Sequence, residues 1–439
     1  MASPLSSTAL LERFRRAHGK DINLTLRNAY SELLAALGNP HKNLPPTLIV
    51  AGTNGKGSTC AFLRAMIEAE GKSVHVYTSP HLLTFHERIR LAGDLISEEE
   101  LVDFLLEIEK VAKPGAVSLF EIITAAALTA FARYPADAAI LEVGLGGRLD
   151  ATNITPHPVG CAISHLSFDH CDYLGHSMAE IAREKAGIMR KGTPCYAGRQ
   201  TSPEAVNALK NEADRLHTPL FLAEKDFEIL LHIDGTWTFR SPQRQITGLP
   251  KPALAGAHQY DNAALAIATA QSLPFPLSDQ SIRTAMTSVY WPGRLELLSD
   301  GSLIKLLPPG HELWLDGGHN DSAALALAAQ MKAWFEKDGK QIDLVYGMLS
   351  TKNPADFLAP LAPYLKRVRT LSIQGDVPGF SAEELADQVR LFGLEDVQSC
   401  ATVSDALQSL SASFGNTNRT LICGSLVLVG DALRENMLG

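Results

Sequence analysis

Cysteine is scarce in this chain and scattered where it occurs. The six residues Cys60, Cys161, Cys171, Cys195, Cys400 and Cys423 include no CxxC pair, which argues against a zinc cluster or a disulfide framework and fits a reducing cytoplasm. No apolar run approaches the ~20 residues needed to cross a bilayer, so no membrane association is expected. The opening MASPLSSTALLERFRR has too short an apolar stretch for a signal peptide and is read as an N-terminal helix. Positive charge is also in deficit. A formal net charge of −9 gives no bulk attraction to nucleic acid or an anionic membrane. An anionic small substrate would therefore depend on local cations, and Lys56, Arg88, Arg148, Lys185 and Arg294 lie beside glycine-rich segments. Repeats and low-complexity tracts are missing as well. With 46% hydrophobic and 20% charged residues over 439 positions, the composition is that of a globular protein long enough for two cores.

What is present alternates between strand and helix. Residues 24–37 have helical apolar spacing with Gly38 as a C-terminal cap. The β-branched strand 47–50 runs straight into AGTNGKGST; a helix over 58–70, closed by Gly71, and a strand over 73–79 follow. Ser97 with Glu100 forms a capping box opening another helix, and residues 119–133 read as a mostly buried helix. Strands over 138–144 and 160–166 continue the alternation, which implies a parallel sheet covered on both faces. A β-hairpin is expected over 227–241, turning at Asp234-Gly235. The segment YWPGRLELLSD carries Pro-Gly punctuation and is taken as a linker at about 290–300. Beyond it HELWLD, QIDLVYG, RVRTLSI and TLICG read as strands among helices. The expected fold is thus α/β: a P-loop, doubly wound, mostly parallel sheet over 1–293 with a second, smaller Rossmann-like α/β domain over 299–439.

Two segments carry chemistry. Gly52-Thr53-Asn54-Gly55-Lys56-Gly57-Ser58-Thr59 sits between strand and helix, where backbone N–H groups and the helix dipole hold phosphate. It departs from G-x-x-x-x-G-K-[ST] because Val50 stands in place of the first glycine and Gly57 displaces the hydroxyl to Ser58. A packing turn would explain the glycines alone, but not Lys56 or the hydroxyls of Ser58 and Thr59, placed where Mg²⁺ would sit. The second segment is LEVGLGGRLDATN, residues 141–153. Glu142, near the carboxyl end of a buried strand, faces the crevice where doubly wound sheets bind ligands. A buried carboxylate there is naturally explained by a cation.

Together with Ser79-Pro80-His81, these segments resemble the two signatures of the folylpolyglutamate synthases. Phe120-Glu121, Asp169-His170 through Leu174-Gly175, Arg183-Glu184-Lys185-Ala186-Gly187-Ile188, Pro292-Gly293-Arg294 and Asp316 through His319-Asn320 follow in the same order. The resemblance covers nearly the whole chain. By it, the sequence is identified as a member of the bacterial dihydrofolate synthase/folylpolyglutamate synthase family, within the Mur ligase superfamily. Only 51 residues precede Gly52, too few for the nucleotide-sugar domain that Mur ligases place there.

The resemblance implies an ATP-dependent ligase of folate biosynthesis and one-carbon metabolism that couples L-glutamate to dihydropteroate and to reduced folates through an acyl phosphate. A monofunctional folylpolyglutamate synthase is the alternative, and another Mur-type amide ligase a more distant one. Residues 1–293 would bind ATP and pterin, and 299–439 glutamate. It further implies ATP contacts at Asn54, Gly55, Lys56, Gly57, Ser58, Thr59, Asn262, Arg294 and Asp316, and catalytic roles for Lys56, Lys185 and His319. Two Mg²⁺ ions would be held by Ser79, Glu142, His170 and Lys185, the last as a carbamate; a monovalent cation such as K⁺ would accompany them. The pterin would lie against Ile22, Asn23, Leu24, Phe120, Glu121, Leu149, Asp150 and Ala151. Asn23 replaces an acid frequent in bifunctional members, and Gly318 stands where alanine is commoner. A cytoplasmic monomer is implied.

Overall fold

The computed structural model describes residues 6–19, 27–375, 377–411 and 417–438. The chain forms two compact units, Met1–Ala253 with Tyr260–Val289, and Leu254–Gln259 with Tyr290–Gly439. The assignment of residues 254–259 to the second unit has no counterpart in the sequence pattern.

The first unit is built on a sheet of β1 (Thr47–Ala51), β2 (Val74–Tyr77), β3 (Ile89–Leu91), β4 (Asp94–Leu95), β5 (Ala138–Glu142), β6 (Gly160–Ile163), β7 (Cys195–Ala197) and β8 (Leu220–Leu222), in the order β4-β3-β2-β5-β1-β6-β7-β8. β2, β5, β1, β6, β7 and β8 run parallel, and the short β3 and β4 add an antiparallel edge. TLIVA, AAILE and GCAI are buried at every position, as continuous apolar strands are when helices cover both faces. One face packs Tyr77, Ala139 and Leu141 against helices Glu98–Glu109 and Leu119–Arg133. The other packs Ile49, Cys161 and Ile163 against Met178–Ala186 and Pro203–Leu216. The capping box at Ser97 and Glu100 is present. The chain leaves β1 toward β2 on one side, and β6 lies on its other side. This reversal opens a crevice at the carboxyl ends of β5, β1 and β6.

The expected hairpin forms from β9 (Glu228–Leu231) and β10 (Trp237–Arg240), and β11 (Gln245–Leu249) extends it to three antiparallel strands. The second unit carries β12 (Glu296–Leu298), β13 (Glu312–Asp316), β14 (Ile342–Tyr346), β15 (Leu365–Leu371), β16 (Val397–Cys400) and β17 (Arg419–Cys423), in the order β12-β13-β17-β14-β15-β16. All are parallel except β12. The stretch read as a linker therefore contains a strand: Leu297, across from Trp314, is 46% exposed. An edge strand with so little buried area leaves only a weak periodic signal.

Candidate active site

The loop after β1 leaves its strand at Ala51 and enters the helix Lys56–Ala69 through Gly55. Gly55 has φ +90°, and a Cβ there would lie 2.3 Å from Asn262 Oδ1, so both the conformation and the close approach require glycine. The helix begins at Lys56, two residues earlier than its apolar spacing implies, because Gly55 rather than Ser58 provides the N-cap. The backbone N–H groups of Thr53 and Asn54 donate to the His165 carbonyl after β6, at 3.0 and 3.2 Å. Lys56 Nζ donates to the carbonyls of Gly52 (3.1 Å) and Thr53 (3.2 Å). The Thr59 hydroxyl is turned back to the Gly55 carbonyl at 2.9 Å, the usual use of threonine inside a first turn. Ser58 is buried.

Glu142 ends β5 beside this loop, with Val50 as its register partner on β1. It is 4% exposed, and its Oε2 accepts the Ser79 backbone N–H at 3.1 Å. Two of the expected metal-binding positions are thus neighbours. Lys185 is the third residue here, and its placement corrects the ordinary expectation for a helical lysine. It is not solvated: the side chain is 5% exposed, and Nζ donates to the Gly52 carbonyl at 2.9 Å. Burial, reinforced by nearby Lys56 and only partly opposed by Asp169 and Asp150, pushes its amine down to about 7. Such an amine is substantially neutral at neutral pH, as nucleophilic addition requires. His170 takes up φ +51° as the N-cap of Cys171–Leu174, half-exposed, with Nε2 3.8 Å from Asp169 Oδ1.

Of the residues matched to pterin contact, Phe120, Leu149, Asp150 and Ala151 lie at or beside the loop after β5. Phe120 lies over Gly144, where a Cβ would meet its ring at 2.5 Å. Asp150 is buried; it accepts from Leu145 N (2.8 Å), Thr152 N (2.9 Å) and Thr152 Oγ1 (2.6 Å), and burial raises its carboxyl above the usual range. Thr152 was missed by the sequence reading, although the Asp-x-Thr spacing is that of an Asx turn. Leu149 is partly exposed and Ala151 buried. Glu121 has a structural duty: its Oε2 accepts from the Ser118 N–H and hydroxyl at 2.7 and 2.9 Å, closing a capping box. Ile22, Asn23 and Leu24 lie outside the described residues.

In the second unit, Asp316 ends β13 and accepts from Leu295 N and Gly318 N at 2.8 and 2.7 Å. Arg294 Nη1 donates to the Gly293 carbonyl, His319 Nδ1 lies 2.9 Å from the Gly317 carbonyl, and Asn320 caps the helix Asp321–Asp338. His258, absent from the sequence reading, is partly buried, and desolvation, aided by Arg294, shifts its ring toward neutrality against the attraction of Asp316.

Among the described residues no three His, Cys, Asp or Glu side chains are grouped so as to hold a metal by themselves, and no helix is long and apolar enough to cross a membrane. Mg²⁺ typically takes one or two carboxylates and completes its shell with water and substrate phosphates. A buried glutamate next to Ser79 and a phosphate loop fits that pattern.

A phosphate-loop, doubly wound unit followed by a second parallel-sheet unit is the architecture of the Mur ligase class. The family model of the Mur ligase middle domain matches residues 50–270, and that of the dihydrofolate synthetase C-terminal domain matches 306–435. The dihydrofolate synthase/folylpolyglutamate synthase of Bacillus subtilis is 32% identical over 91% of this chain and 92% of its own. An Escherichia coli FolC structure in complex with DHPP and ADP superposes with a TM-score of 0.87 at 31% identity, covering 98% of this chain and 97% of that one. A bifunctional folylpolyglutamate synthase/dihydrofolate synthase structure with Mn, AMPPNP and L-glutamate bound gives 0.83 at 32% identity, covering 98% of each chain. The chain belongs to the dihydrofolate synthase/folylpolyglutamate synthase family.

Proposed function

We propose that this protein is an ATP-dependent ligase that adds L-glutamate to dihydropteroate, forming dihydrofolate, and to reduced folates, forming polyglutamates, in the cytoplasm and as a monomer. The observation that carries this reading is the meeting of the two signature loops and Lys185 at one end of one sheet: Glu142 is registered beside β1, and Lys185 donates to the Gly52 carbonyl.

In the proposed reaction an oxygen of the substrate carboxylate attacks the γ-phosphorus of ATP, and the bond to the β,γ-bridging oxygen breaks, leaving ADP and an acyl phosphate. The amine of glutamate then attacks the acyl carbon, loses a proton and expels phosphate, which keeps the carboxylate oxygen. Magnesium, when bound, neutralises phosphate charge. The work assigned to the chain is positioning and electrostatics. The loop amides and the helix N-terminus from Asn54 to Thr59 cradle the phosphates, and Lys56 swings from the Gly52 and Thr53 carbonyls onto the β/γ oxygens. Asn262, Arg294 and Asp316 are assigned to the nucleotide, and His319 to catalysis.

Ser79 and Glu142 are assigned to one metal ion, and His170 with Lys185 to a second; a K⁺ site is also proposed. The protonated amine of Lys185 cannot ligate a cation, and its neutral form is a poor ligand for Mg²⁺, which takes oxygen. When neutral it can add CO₂, forming an N–C bond and releasing a proton, and the resulting carbamate offers oxygen ligands. Phe120, Leu149, Asp150 and Ala151, with Ile22, Asn23, Leu24 and Glu121, are assigned to the pterin, since an aromatic and apolar pocket with one or two polar groups suits a flat heterocycle.

The test supplies ATP, Mg²⁺ and glutamate with dihydropteroate in one reaction and tetrahydrofolate in another. Product in both is expected. Product with tetrahydrofolate alone would make the enzyme monofunctional, and product in neither would end the proposal.

A further inference from the structure

Arg190 follows the helix Met178–Ala186 and is bound in an unusual way for a cation. Its Nη1 donates to the carbonyls of Gly187 (3.2 Å), Ile188 (3.2 Å) and Met189 (3.0 Å), and its Nη2 to Asn153 O (3.1 Å) and Asn153 Oδ1 (2.6 Å). Every acceptor is neutral, and among the described residues no carboxylate lies within ion-pair distance. Asn153 is 3% exposed and returns the grip, donating Nδ2 to the Gly187 carbonyl at 2.8 Å and the Arg148 carbonyl at 3.4 Å. The Arg148 N–H donates to the Glu184 carbonyl at 2.7 Å.

The two backbones touch at a glycine on each side. A Cβ on Gly147 would sit 2.7 Å from the Glu184 carbonyl oxygen, and one on Gly187 would sit 2.3 Å from Arg148 Cβ. The planar guanidinium has two branches and reaches the helix end and the loop at once; an ammonium has no such fork. A cation at the C-terminal end of a helix is also favoured by the helix dipole. One end of this clasp is the loop that carries Asp150. The other is the helix that carries Lys185, whose Nζ lies 2.9 Å from the phosphate-loop carbonyl of Gly52.

We propose that Arg190 is a positioning residue for the ligase reaction, clasping the loop 144–153 to the helix end so that Lys185 is held in register with the phosphate loop. This inference rests on the role given to Lys185 above. It explains a partly buried cation whose hydrogen bonds all serve geometry and none charge pairing. Lys185 then depends on Arg190 for its place, and its conversion to the carbamate becomes harder when the clasp is opened.

The test compares Lys185→Ala, Arg190→Met, Arg190→Lys and Asn153→Ala in the full-length enzyme. Activity is measured against bicarbonate concentration, and carbamate is followed by ¹³C NMR with labelled bicarbonate, normalised to folded protein. Arg190→Met is expected to lower kcat by roughly tenfold to a hundredfold, to raise the bicarbonate concentration for half-maximal activity and to weaken the carbamate signal. Arg190→Lys should restore melting behaviour more than kcat. Asn153→Ala should reproduce the bicarbonate shift with the arginine intact, and it decides the matter should Arg190→Met fail to fold. An inactive Lys185→Ala beside variants at Arg190 and Asn153 with unchanged bicarbonate response and carbamate signal would overturn the inference while leaving the role of Lys185 standing. A fully active Lys185→Ala would instead remove that role, and the inference with it.

Discussion

Two buried cations, one in each unit, are treated differently by the fold. Arg367 in β15 is 5% exposed and forms a two-pronged pair with the fully buried Asp343 of β14, at 2.8 and 2.7 Å; Thr417 and the Leu410 carbonyl take further contacts. The hydrogen bonds to Asp343 push the guanidinium further toward its charged form. Lys185 in the first unit is equally buried, yet it donates to a carbonyl and its amine is pushed down to about 7. A compensated buried charge ties two strands together. An uncompensated one is costly to keep charged and so is available as a neutral nucleophile.

The largest effect expected is at Lys56. Lys56→Ala should cost about a thousandfold or more in ligation rate with the fold intact, read by steady-state kinetics beside a melting curve; full activity in the folded variant would remove Lys56 from the reaction. Breaking the scaffold pair should do the opposite. Asp343→Ala leaves Arg367 buried and unpaired, and urea unfolding should show a loss of about 3–5 kcal/mol with kcat little changed in the protein that remains folded.

The pH dependence of Lys185 sharpens the contrast. Its folded value lies below its unfolded one, so between about 7 and the ordinary lysine range near 10.5 the unfolded chain holds more protons and stability rises with pH. In CO₂-free buffer, wild type should gain about 2 kcal/mol more than Lys185→Met between roughly pH 7 and 9. Equal slopes would mean that the amine is not buried as described. The smallest effect is at the rim of the second unit. Arg369 pairs with Asp396 at 2.9 Å, but the aspartate side chain is 47% exposed, and Asp396→Ala should cost at most about 1 kcal/mol in the same urea experiment.

Local chemistry was readable from the sequence. The glycine loop between β1 and its helix, the turn at Asp234-Gly235 and the Ser97 cap are set by neighbours a few residues away. Glu142 was found because a carboxylate at the end of an apolar strand is conspicuous. Long-range choices were not readable. Lys185 looks like any helical lysine until β1 and β6 bring the phosphate loop against it, and its catalytic assignment came from resemblance alone. β12 is half exposed, and β16, with the pattern buried, exposed, exposed, partly buried, offers no clean alternation. The Arg190–Asn153 clasp spans 37 positions, and no spacing rule predicts it. The cap formed by Glu121 could have been foreseen from Ser118 three residues before it, the same signature recognised at Ser97.

The central claim is that a carboxylate is activated by phosphoryl transfer before glutamate is joined to it. Dihydropteroate labelled with ¹⁸O in its carboxylate, turned over with ATP and glutamate, should pass one labelled oxygen into inorganic phosphate for each amide formed, seen by mass spectrometry of the released phosphate. Label confined to the amide product and water, with unlabelled phosphate, would contradict the account.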